Sequence, residues 1–91
     1  AALLDKQIQE LNRNEQIADN QQKLKITATE KKIEAYKRIE ALVLQDKDEQ
    51  QEAFQAGRTL LSDYNQVMMN YKKAKMDVWQ AQYDLLKLYV D

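Results

Sequence analysis

One glycine, Gly57, and no proline occur in 91 residues, so only one position interrupts a backbone otherwise free to be helical from end to end. Glycine accepts positive φ and closes a helix without a Cβ clash. An isolated glycine between helical segments is therefore a turn or a weak point. The composition agrees: 44% hydrophobic with only 8% aromatic and 32% charged residues is the profile of long helices and coiled coils. A chain this short buries only a modest core by itself, so it is expected to lean on further copies or on a larger protein. The ending "LLKLYVD", an apolar run with no capping residue, reads as a cut from a longer chain.

Residues 60–90 carry the clearest pattern. Leu60, Tyr64, Val67, Tyr71, Ala74, Val78, Ala81, Leu85 and Leu88 follow a 4, 3, 4, 3 spacing throughout, which is a heptad seam on a helix. Met69, Met76, Trp79, Tyr83, Leu86 and Val90 form a second stripe. Its centre lies roughly 150° from the first, too far round for one partner helix to cover both. A third stripe, Asp63, Gln66, Asn70, Lys73, Asp77, Gln80, Asp84, Lys87 and Asp91, has no apolar member and reads as a wet face.

Before Gly57 the pattern is thinner. Leu4, Ile8, Leu11 and Ala18 make one seam and Ala28, Ala35, Ile39 and Leu42 another, with Ile26, Ile33 and Val43 to one side. Strong helix formers still dominate. The run "QDKDEQQE", residues 45–52, is polar throughout and competes with Gly57 as the turn. A turn near Asp46–Asp48 gives nearly equal arms but leaves Gly57 inside a helix, at a cost of about 1 kcal/mol relative to Ala. A turn at Ala56–Thr59 uses Gly57 as the C-cap, offers Thr59 as the next N-cap and starts the heptad at once. The expected fold is all-α: a single antiparallel coiled-coil hairpin spanning residues 1–91, with helices over about 3–55 and 60–90 and the turn at 56–59. A three-helix bundle broken near Asn20 and in the 45–52 run is the compact alternative.

Catalysis is hard to build here. There is no His and no Cys, which removes the usual base, the thiolate and most metal ligands, and Ser62 stands alone. No catalytic residue, metal site or cofactor is expected. Asp46, Asp48, Glu49 and Glu52 lack the loop glycine and spacing of an EF-hand. Lys23, Lys25, Lys31, Lys32, Lys37 and Arg38 are interrupted by Glu30 and Glu34, and a formal net charge of −1 sets no field to draw nucleic acid or an anionic membrane. Met68, Met69, Met76, Trp79 and Tyr83 read as helix packing rather than a ligand pocket. No stretch approaches the length and apolarity of a membrane span.

Phe54, Gly57, Asp63, and then "AKMDVWQAQYDLL" from Ala74 to Leu86, with Val78, Ala81, Tyr83 and Leu85 in register, resemble the TolC-like outer membrane efflux proteins where a periplasmic helix turns at its tip and runs back. The resemblance covers about residues 50–90. Arg58, Tyr64, Asn65 and Gln66 depart from the residues usual there. It implies the helical hairpin of a trimeric export channel, packed with other such helices into a tunnel across the periplasm. The partners it implies are copies of the same chain and a periplasmic adaptor (membrane fusion) protein, with no membrane contact by this segment. Gly57, Arg58, Thr59, Leu60 and Leu61 would be the adaptor-docking tip. Asp63, with Gln66, would line the pore aperture, where a ring of carboxylates favours cations. The plainer reading of Asp63 is a helix N-terminal acid set against the helix dipole, and the alternative for the whole chain is a free-standing scaffolding coiled coil.

Overall fold

The computed structural model describes residues 2–90. Two helices, α1 (Ala2–Gln55) and α2 (Leu61–Val90), form an antiparallel hairpin, and its extents are 83 × 16 × 14 Å. The long dimension is α1 itself: 54 residues at about 1.5 Å each span about 81 Å, whereas α2 reaches only about 45 Å. The long first arm expected from a turn at Gly57 is therefore present, and Asp91 lies outside the described residues.

Gly57 is the turn. It has φ +72° and follows the last turn of α1, where its N–H bonds to the Phe54 carbonyl at 3.0 Å and the Arg58 N–H to the Ala53 carbonyl at 2.7 Å. That pair of bonds is the Schellman closure, which satisfies carbonyls the helix end would leave orphaned. A Cβ at Gly57 would meet no atom within 4 Å, so its requirement is backbone conformation rather than space. The next helix opens one residue later than its seam suggested. The Tyr64 N–H bonds to the Leu60 carbonyl at 3.1 Å, which places Leu60 at the N-cap position and leaves Thr59 in the connection.

The run 45–52 does not break α1, and neither does Asn20, so the three-helix alternative falls. Gln50 and Gln51 are half-buried against α2, and the Lys47 ammonium lies 5.1 Å from the Tyr71 ring centroid. Long polar side chains cover α2 with their stems while their heads stay wet, so a run without apolar residues still packs.

The core is thin. Ile33, Ala74, Val78 and Ala81 are buried, and Tyr64, Val67, Tyr71, Leu85 and Leu88 are half-buried beside them. The α2 seam is thus the packed face, except for Leu60, which is exposed. On α1 the expected faces exchange roles. Ile26, Ile33 and Val43 lie against α2 with Gln22, Thr29 and Tyr36, whereas Ala28, Ala35, Ile39 and Leu42 are exposed. The small residues needed for close approach come from α2: Ala81 is 2% exposed, and its small side chain lets the α1 backbone come near.

Candidate functional site

At the tip, the closure by Gly57 throws Arg58, Leu60 and Leu61 outward, all exposed, with Thr59 half-buried. Phe54 and Tyr64 brace the end from beneath, their rings stacked with centroids 5.1 Å apart and planes 15° from parallel. The end therefore presents two leucines and one guanidinium on a rigid base. Phe54–Tyr64 is a cross-helix pair that spacing alone does not reveal, because it depends on which turn is used.

The two aperture candidates lie just beyond the tip and do not form one cluster with it. Asp63 is in the first turn of α2, where its charge complements the helix N-terminus, and it is exposed. Gln66, also exposed, donates from Nε2 to Asn70 Oδ1 at 3.1 Å. That bond is the first of a series. Lys73 Nζ reaches Asp77 Oδ2 at 3.4 Å, and Gln80 Nε2 donates to Asp84 Oδ1 at 3.0 Å. The polar stripe is thus a ladder with one i,i+4 bond per heptad, each of the kind that contributes a few tenths of a kcal/mol on a helix surface. The repeat was visible in the sequence as residues seven apart; its hydrogen bonding was not.

The second apolar stripe has no cover within the chain. Met69, Met76, Trp79, Tyr83, Leu86 and Val90 are all exposed, Trp79 at 63%. Trp79 and Tyr83 stack with centroids 5.6 Å apart, and the Lys87 ammonium sits 5.1 Å from the Tyr83 ring. These contacts order the stripe without burying it. On α1, Ile17, Leu24, Ile39 and Leu42 are likewise exposed, with Ile39 bordering a groove beside Asn70, Lys73 and Ala74 of α2.

Among the described residues, no group of three or more acidic side chains is placed to hold a metal ion, and no helix is long and apolar enough to cross a membrane. In the basic stretch, Arg38 Nη2 is 3.8 Å from Glu34 Oε2 and the Lys32 ammonium lies 5.6 Å from the Tyr36 ring, so neighbours one turn away engage part of its charge.

Comparison of the chain with protein-family models, curated proteins and solved structures finds no match.

Proposed function

We propose that the chain is a structural element rather than a catalyst: the periplasmic helical hairpin of a TolC-like export channel, building the conduit wall and presenting the tip to an adaptor. The observation that carries this reading is the uncovered apolar stripe of α2, turned away from α1, with Leu24 and Leu42 exposed on α1. A stave in a helical barrel touches a neighbour on both sides, and it needs such a stripe on each helix together with a polar face toward water. The bonded ladder from Gln66 to Asp84 suits the wet face, and Leu60 and Leu61 suit a small docking end. The work is passive; energy for transport comes from elsewhere.

The test is a photo-reactive side chain at Leu61 in cells with an outer membrane. The reading expects a covalent product with a periplasmic adaptor, identified by mass spectrometry. Adducts from a matched probe at Trp79 combined with none to an adaptor from Leu61 would contradict it.

A second reading, a scaffolding coiled coil that presents an apolar seam to a partner, has its support in the exposed Met69, Met76, Trp79 and Leu86 of α2.

A further inference from the structure

The open stripe of α2 is edged by charge of one sign. Lys72 stands in line with the exposed Met69, Met76, Trp79, Tyr83 and Leu86, Lys75 and Lys87 flank them, and Asp63, Asp77 and Asp84 lie round the helix on the separate polar stripe. The positions repeat as a heptad seam, with Met69, Met76, Tyr83 and Val90 alternating with Lys72, Trp79 and Leu86. Part of that seam is ordered in the single copy: the Trp79 and Tyr83 rings stack with planes 7° from parallel, so docking on them costs less side-chain entropy.

We propose that the stripe is covered by the same stripe of a second copy, the two α2 helices running antiparallel about a two-fold axis level with Asp77 and Val78. The inference rests on the scaffolding reading and names its partner. In this register Met76 lies beside Trp79 of the second copy and Met69 beside its Leu86, and the axis repeats both contacts. Lys72 lays its stem along the second copy's Tyr83 ring and keeps its ammonium at the wet edge. The flanking positions pair without opposed charge: Lys75 with Gln82, Lys73 with Gln80, Lys87 with Gln66, and Met68 with Tyr89. The contact uses residues 65–90 alone, on the side of α2 away from α1.

Charge selects that register and direction. A shift of one heptad one way sets Lys73 and Lys75 each against its own copy across the axis, and a shift the other way sets Lys73 against Lys87. A parallel pair sets Lys72 against Lys72 inside the seam. Like charges held opposite one another disfavour all three. The antiparallel register that remains is an isologous contact, which closes at two copies. It is about 39 Å long and one helix wide, and it buries on the order of 1,000 Å², the lower bound for a specific interface. Association in the micromolar range is therefore expected.

The chain has no cysteine, which makes the test direct. Met69→Cys and Leu86→Cys, both at exposed positions, are made separately, checked for helicity, and oxidised alone and as a mixture. The mixture is expected to yield a disulfide-linked dimer, because the two positions face each other across the interface. Either variant alone is expected to yield little, because the two-fold axis holds each position about 25 Å from its own copy. In parallel, light scattering on the unmodified full chain is expected to show the mass rising with concentration from 10.7 kDa to a plateau of roughly 21 kDa. Trp79→Gln, which removes an exposed ring, is expected to weaken that association at least about 30-fold with helicity unchanged. Single variants cross-linking as well as the mixture would overturn the proposal. A monomer at all concentrations would overturn it too, and would leave the scaffolding reading to a partner of other sequence. A plateau at three copies would overturn both and favour the channel reading.

Discussion

The two parts of α1 make an instructive pair. Residues 22–55 and residues 2–21 belong to one uninterrupted helix and carry one continuous seam direction, yet only the first has a helix opposite. In the packed part, side chains as polar as Gln22, Glu40, Lys47 and Gln50 are at least half-buried; in the arm, side chains as apolar as Leu4 and Leu11 are exposed. Burial in this molecule follows the presence of a partner, not residue hydrophobicity. The arm is helical through propensity, and an isolated helix of its length is marginal in water, whereas the packed part gains tertiary support.

The comparison breaks most severely at the thinnest part of the core. Val78→Asp puts a carboxylate at a site 7% exposed, where ionisation without a partner is costly. A loss of about 4 kcal/mol or more is expected, seen as collapse of the cooperative thermal transition in circular dichroism. Next come matched truncations in α1. Ile33→Ala, at a site 8% exposed, should cost about 2–4 kcal/mol in urea unfolding. Leu11→Ala, at a site 62% exposed, should cost less than about 0.5 kcal/mol when measured on the dilute single copy. Equal costs would mean that the arm is packed in solution.

At the turn, Gly57→Ala meets no steric obstacle but must adopt φ +72°. The expected cost is about 1–2 kcal/mol, read as a lower melting temperature. An unchanged melting temperature would move the turn elsewhere. The smallest effect belongs to the ladder. Gln80→Ala removes one exposed i,i+4 bond and should cost about 0.3 kcal/mol, near the limit of a denaturant titration.

The α2 helix was legible because its buried positions are apolar at every step of the 4, 3 spacing, from Tyr64 to Leu88. The α1 packed face was not, because hydrophobicity pointed the wrong way round that helix. Ile39 and Leu42 with Ala28 and Ala35 look more like a seam than Gln22, Thr29, Tyr36 and Glu40 do, and only the position of α2 decides between them. Gly57 as the turn was readable from backbone chemistry. The passage of α1 through residues 45–52 depended on Lys47, Gln50 and Gln51 lying on α2, which is a tertiary fact. The tip and aperture residues were placed by resemblance. Geometry adds the exposure of Leu60 and Leu61 and the Phe54–Tyr64 brace, and it separates Asp63 from the bonded ladder.

The central claim is a single turn at Gly57 that sets α1 against α2 in one register. Paired spin labels at Ala41 and Lys73, introduced as cysteines and diluted with unlabelled chain, test it most directly. A turn at Gly57 brings these positions nearly level on adjacent helices and predicts a separation of about 15 Å. A turn at residues 46–48 would slide them about twenty residues apart along the axis, and a distance near 30 Å would contradict the account.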